Sequence, residues 1–237
     1  MGIGMLPPCE VTHHEEKSAY HRRKKLLTAR RKFSLPRREK SAYRARKKLL
    51  TEWWQIHLIA ENVLNREFTA EKPNEKWLTD VTEFKWYEGI VVHKIYLSAI
   101  LDLYDRRIVS FVIRDHNDNP LVFDTFDAAV RANPDAHPLF HSDRGYQYTN
   151  RTFYEKLVAA GMTQSMSRVA KCIDNGPMEG FWGILKRERY YGKRFESREA
   201  LIEMIENYIF YYNNRRLQRN LGVLTPMEKH RSCELAA

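Results

Sequence analysis

The stretch that decides the fold is "KWLTDVTEFKWY", residues 76–87. Apolar and polar residues alternate through it around Val81 and Phe84, and it is rich in β-formers, so it predicts a strand. At its centre stands an acid, Asp80. Strand interiors disfavour aspartate. A carboxylate in a central strand is costly unless it is paired or holds a metal.

Working outward, "HKIYLSAILDLY" (93–104) and "RRIVSFVIRD" (106–115) predict two more strands, joined by a tight turn at Asp105–Arg106. "NPLVFDTFDAAVRAN" (119–133) has helical spacing, with Val122, Phe126, Ala129 and Val130 on one side and Pro120 in the first turn. "HPLFHSD" (137–143) predicts a short buried strand ending at Ser142–Asp143. "NRTFYEKLVAAG" (150–161) predicts a helix stopped by Gly161, and "TQSMS" (163–167) a fifth strand. A helix should open at Pro177 and run to about Tyr190. A last helix, 197–213, sets Leu201, Ile205, Tyr208, Ile209 and Tyr212 on one stripe. A three-stranded antiparallel meander followed by strand–helix alternation predicts an α/β fold with a mixed five-stranded sheet flanked by helices.

Upstream, the chain changes character. Residues 1–51 carry 15 Lys and Arg against 4 Asp and Glu, whereas residues 52–237 carry 25 against 26. The whole excess of the +10 net charge therefore sits in an N-terminal arm, which suits a polyanion such as nucleic acid. Within the arm, "EKSAYHRRKKLLT" (16–28) recurs as "EKSAYRARKKLLT" (39–51). Two copies are too few for a solenoid. The expected organisation is a basic arm (1–51), helical or disordered, and a linker (52–75) with a turn at Pro73–Asn74. An α/β core (76–213) and a C-terminal tail (214–237) follow. No apolar run approaches the roughly 18 residues that a membrane span needs, and the start lacks the pattern of a secretory signal. Cys9, Cys172 and Cys233 are scattered, which argues for a reducing, cytoplasmic setting and against a cysteine-based zinc module.

Three acids stand out. Besides Asp80, Asp143 closes the fourth strand at the edge where open α/β sheets collect ligands. Glu179 follows with 35 residues between, in the first turn after Pro177. Each has an ordinary reading: Asp80 paired with an arginine, Asp143 in a turn, Glu179 as a capping-box glutamate behind Gly176 as N-cap. Together they suggest more. Hard cations such as Mg²⁺ take carboxylate oxygens and keep places for substrate phosphate. A pair of such ions about 4 Å apart can activate the attacking oxygen and stabilise the leaving one in phosphodiester chemistry. Lys186 lies seven residues after Glu179, two helical turns on, placed to hold a DNA backbone.

The segments "NREFTAEKPNEKWLTDVTEF", "HSDRGYQYTN", "QSMSRVAKCIDNGPMEGFWGILKRE" and "YYNNRRLQRNLGVLTPMEKH" resemble the OrfB-type transposases of bacterial insertion sequences (insertion-sequence family three). Their core belongs to the retroviral-integrase, RNase H-like superfamily. The resemblance spans about residues 60–230 and includes the Asp–Asp–35–Glu spacing. It implies that Asp80, Asp143 and Glu179 are the catalytic, metal-binding triad for Mg²⁺ or Mn²⁺, with two ions. Lys186 would contact DNA, with Arg144, Arg168 and Lys171 beside it. Asp174 and Asn175 would shape the site without binding metal, and Asp102 would be structural. The three carboxylates should converge within metal-bridging range, and Asp174 should stay outside. The implied activity is cleavage at the ends of a DNA element, then strand transfer by the freed 3′-hydroxyl. The implied partners are DNA, further copies of the chain on DNA, and the product of an upstream frame that supplies DNA binding. The repeated arm stands where relatives carry a helix-turn-helix-like region, and "VAKC" replaces a glycine-containing loop. Two alternatives remain open: a non-catalytic DNA-binding remnant, and an RNase H-like nuclease of another purpose.

Overall fold

The computed structural model describes residues 59–169 and 172–234. The basic arm, its repeat and Lys171 lie outside the described residues. The alternating stretch around Asp80 forms a 13-residue strand, β1 (Lys76–Glu88). It turns at Gly89 into β2 (Val91–Asp102) and pairs with it antiparallel from Trp77↔Asp102 to Glu88↔Val91. The expected tight turn sits at Asp105–Arg106, where Arg106 takes a left-handed φ of 64° and donates its N–H to the Asp102 carbonyl at 2.9 Å. It leads to β3 (Ile108–Arg114), antiparallel to β2.

Helix α1 (Asn119–Ala132) opens with Asp118 accepting the Leu121 N–H and with proline in its first turn. It returns the chain to β4 (Leu139–Ser142), which lies parallel to β1. Helix α2 (Arg151–Ala159) is capped by Asn150 and ends before Gly161, whose φ of 68° only glycine adopts freely. It feeds β5 (Thr163–Met166), parallel to β4. The sheet order is β3-β2-β1-β4-β5. The expected mixed five-stranded sheet is therefore present, and β1 lies at its centre.

Alternation along β1 divides the core in two. Leu78 and Phe84 face α3 (Gly176–Leu185) and α4 (Arg198–Asn214), packing on Met178, Phe181, Leu185, Leu201, Ile205 and Tyr208. Trp77 faces the other way, toward Val122 and Phe126 of α1 and Phe153 and Leu157 of α2. All five residues of the stripe expected on α4 are buried. Each large apolar side chain so buried contributes roughly 1.5–3 kcal/mol.

One expectation needs correction. The helix opened by Pro177 does not run regularly to Tyr190. It ends at Leu185 and passes into a π turn, Lys186–Tyr190, closed by Tyr191 N–H on the Lys186 carbonyl at 2.7 Å. The C-terminal tail, 214–237, carries a short 3-10 turn and α5 (Pro226–Glu234). Among the described residues no helix is long and apolar enough to cross a membrane.

Candidate active site

The register of β1 on β4 does much of the assembly. Leu78 pairs with His141 at the last bridged position. Two residues further along stand Asp80, still on β1, and Asp143, one residue past the end of β4, so continuing the register sets the two acids side by side. Side chains two apart share a face, and that face is the one covered by α3, the helix that carries Glu179.

Asp80 lies partly buried in this setting. Its Oδ2 accepts the indole N–H of Trp182 at 3.0 Å. Burial pushes its carboxyl from 3.8 up to about 6; the negative charges of Asp143 and Glu179 add to that rise, while the Val81 backbone and Trp182 oppose it. Both acids thus act on Asp80 through space. Asp143 is exposed, and its Oδ1 accepts the Gly145 N–H at 2.8 Å. A β-carbon at Gly145 would come within 2.9 Å of that same oxygen. Tyr148 forms the floor. It is buried, with its hydroxyl 3.2 Å from Thr79 Oγ1, and burial followed by the charges of Asp80 and Asp143 keeps it a neutral phenol.

Glu179 is not a capping-box residue. The N-cap is Asn175, one residue earlier than expected, and makes no side-chain capping bond. The carboxylate of Glu179 is exposed and has no hydrogen-bond partner among the described residues. The expected convergence is met only in part. The charges of Asp143 and Glu179 both reach Asp80, but among the described residues no three His, Cys, Asp or Glu side chains are gathered into a set that could hold an ion. Like charges on separate elements repel. The donor set itself, three carboxylates without sulfur or imidazole, suits a hard divalent cation.

The supporting positions are well occupied. Asp174 is fully buried away from the triad and accepts from Arg168 Nε, Nη2 and backbone N–H, from Arg66 Nε and from Asn62 Nδ2. The Arg168 hydrogen bonds, aided by the one from Arg66, hold its carboxyl far below the usual range. Asn175 donates Nδ2 to the Thr79 carbonyl at 3.1 Å, tying the start of α3 to β1 beside Asp80. Asp102 is buried among backbone donors, as expected of a structural acid.

The cations expected on DNA are placed unequally. Lys186 is no free surface lysine: its Nζ donates to Thr82 Oγ1 at 2.7 Å and lies 5.0 Å from the Phe84 ring centre, two to four residues along β1 from Asp80. Burial pulls its pKa down, against the charges of Glu83 and Asp80. Arg144 donates Nε to the Ser167 carbonyl at 2.8 Å. Arg168 is engaged with Asp174, though its side chain is half exposed.

Three contributors escaped the sequence reading. Trp182 holds Asp80, and its place three residues after Glu179 on the same helix was a usable signal. His141 is buried between Ser165 Oγ at 2.8 Å and Ser167 Oγ at 3.1 Å, and burial lowers its pKa to about 4, so it stays neutral beneath the site. Arg66 reaches Asp174 from the supposed linker.

A central strand bearing one acid, a parallel neighbour ending in a second and a covering helix carrying a third define a core of the integrase class. The fold agrees. The catalytic core domain of HTLV-2 integrase, solved with magnesium, matches over 68% of this chain and 98% of its own, with a TM-score of 0.51 at 17% identity. A chain of the simian T-cell lymphotropic virus intasome matches over 68% of this chain and 56% of its own, with a TM-score of 0.57 at 16% identity. Residues 70–172 and 179–235 each match a family described as "Integrase core domain". An uncharacterized transposase-like protein of Haemophilus influenzae is 44% identical over 173 residues, 73% of this chain and 78% of that one. The putative transposase InsK of insertion sequence element IS150 from Escherichia coli is 40% identical over 175 residues, 73% of this chain and 60% of that one. The transposase of IS904 from Lactococcus lactis is 34% identical over 179 residues. The chain belongs to the insertion-sequence transposases that carry an integrase catalytic core.

Proposed function

We propose that, within the DNA transposition to which its family ties it, this chain is the catalytic protein, cleaving DNA strands at the ends of an element and joining them to a target. The observation that carries the reading is the environment of Asp80. The charges of two further acids act on it, Asp143 just past the end of the neighbouring strand β4 and Glu179 on the covering helix α3.

Asp80, Asp143 and Glu179 would bind Mg²⁺ or Mn²⁺, two ions in the working complex. Bound divalent ions activate the attacking oxygen and stabilise the leaving oxygen in phosphodiester displacement. The chain's own groups prepare this. Trp182 orients Asp80 by a single hydrogen bond, and a carboxylate oxygen can still accept another partner. With a pKa of about 6, Asp80 is ionised at neutral pH. Gly145 keeps its backbone close to Asp143 and sets the direction of that carboxylate. Lys186, anchored on Thr82 beside the acids, offers a positive charge for a DNA phosphate. Hydrolysis would leave a 3′-hydroxyl and a 5′-phosphate; the 3′-hydroxyl would then attack a phosphorus of a second strand, forming a new phosphodiester as that strand's 3′-oxygen leaves as a hydroxyl. Arg144, Arg168 and Lys171 would add phosphate contacts, further copies of the chain would assemble on DNA, and an upstream-frame protein would supply end recognition.

The test is nicking and strand transfer on element-end DNA with Mg²⁺ or Mn²⁺. Both activities should depend on the ion and on all three acids. Full activity in Asp80→Asn or Glu179→Gln sinks the reading.

A further inference from the structure

Part of the segment expected to be a linker is woven into the site. Leu64 is buried in the core beneath α3 and α4. Its backbone N–H donates to Ser165 Oγ at 3.1 Å, and the Met166 N–H donates to the Glu61 carbonyl at 3.1 Å. Residues 61–64 thus lie along β5. The chain then turns through Asn65 and Arg66, with φ of 44° and 64°. Two successive left-handed residues without a glycine are unfavourable, and they persist only where the surroundings fix them.

Here the surroundings are identifiable. The Asn65 N–H donates to Asn62 Oδ1 at 2.8 Å. The turn then delivers Arg66 Nε to Asp174 Oδ1 at 2.7 Å, while Asn62 Nδ2 reaches Asp174 Oδ2 at 2.9 Å. Asp174 is followed directly by Asn175, the N-cap of α3, which is tied to the Thr79 carbonyl. Phe68 packs beside the first residue of that helix, 3.8 Å from where a Gly176 β-carbon would stand. Its carbonyl is held by Arg106 at 2.6 Å. An unbroken set of contacts therefore runs from residues 61–68, through Asp174 and Asn175, to the helix turn that presents Glu179.

We propose that Asn62 and Arg66 form a clasp, with Arg66 a positioning residue that acts through Asp174 to fix the helix start carrying Glu179. The inference rests on the proposed role of Glu179. The clasp explains why a buried acid outside the triad has two guanidinium partners. Arg168 grips Asp174 from within its own loop and cannot orient that loop against the rest of the protein. Arg66, more than one hundred residues away in sequence, can.

The test uses the full chain and two readouts. The first is amide hydrogen exchange over residues 172–180, with α1 on the opposite face of the sheet as internal reference. Arg66→Ala should speed exchange there at least about tenfold and leave α1 unchanged, and Arg66→Lys should recover part of the protection. The second is the Mn²⁺ concentration that half-saturates cleavage of element-end DNA. It should rise about tenfold in Arg66→Ala, with a smaller change in the rate at saturating Mn²⁺. Unchanged exchange at 172–180, or a rise shared equally by α1, overturns the clasp. Normal Mn²⁺ dependence despite local opening overturns its link to Glu179. A wild-type chain inactive at every Mn²⁺ concentration refutes the proposed function instead, and the exchange comparison then decides on the clasp alone.

Discussion

Asp80 and Asp102 occupy the paired strands β1 and β2, and in both burial raises the carboxyl to about 6. Their partners differ. Asp102 accepts the backbone N–H groups of Asn74 at 2.7 Å and Tyr104 at 2.9 Å. Its neighbour Asp105, equally buried, meets the Arg107 N–H and His230 Nδ1. Arg107 in turn bridges Asn74 and Asn133 through Nη2. This acid cluster is stitched to three segments of chain, α5 among them. Asp80 has one side-chain donor, Trp182, and its other neighbours include two more acids. A structural acid is surrounded by donors; a candidate metal ligand is surrounded by competitors for the same cation. Burial and pKa alone do not separate the two roles.

Substitution should separate them. The largest effect is expected at Asp102. Asp102→Ala leaves two backbone N–H groups without their acceptor, at a cost of about 3 kcal/mol. Calorimetry near pH 4, where the raised Asp102 carboxyl is protonated and its removal relieves no buried charge, should show the melting temperature falling by roughly 6–12 °C, while cleavage per folded molecule at neutral pH stays unchanged. Loss of chemistry at full stability would break the comparison by placing Asp102 in the site.

Asp80→Asn should do the reverse. The carboxyl titrates near 6 in the fold against 3.8 ordinarily, so the native state binds the extra proton between those values. Wild-type stability is therefore lost as pH rises from about 4 through 6. Asparagine carries no charge. In EDTA the variant should be more stable than wild type by about 2–3 kcal/mol above pH 7, and the gain should vanish below about pH 4. An inactive variant with no gain at neutral pH would show that burial and the neighbouring acids do not strain the ionised Asp80.

Gly145→Ala sharpens the contrast at smaller scale. The added β-carbon meets the Asp143 carboxylate at 2.9 Å, and that exposed side chain can swing away at little cost. Cleavage should fall about tenfold while the melting temperature stays within a degree or two. An unaffected rate would mean that the direction of Asp143 is not set by this loop.

Much of this was legible in the sequence because period and pairing are local. Alternation marked β1, helical spacing marked α1 and α4, and the Asp143-to-Glu179 interval marked the acids. What escaped depends on backbone states without a residue signature. The helix cap moved from Gly176 to Asn175 because a 3-10 turn, Cys172–Asn175, leads straight into α3. The π turn arises from residues that would serve equally in an α-helix. The left-handed pair at Asn65–Arg66 contains no glycine to announce it, so nothing linked Arg66 to Asp174. Lys186 read as a DNA contact, and its anchoring on Thr82 needed the packing of α3 on β1.

The π turn has a consequence for insertions and deletions. Tyr190, at its end, packs edge-on against Phe84 with ring centres 5.0 Å apart, stacks on Phe195 and hydrogen-bonds the Lys85 backbone. It thereby fastens the outer half of the β1–β2 hairpin. The wide turn holds one residue more than an α turn, so losing one residue between 187 and 189 would close it to α geometry with the Tyr191 N–H still on the Lys186 carbonyl and Tyr190 near its place. The same loss earlier in α3 would turn every later residue by about 100° and carry Lys186 and Tyr190 off β1. An in-frame loss of one codon is thus absorbed at this turn and nowhere else along the helix.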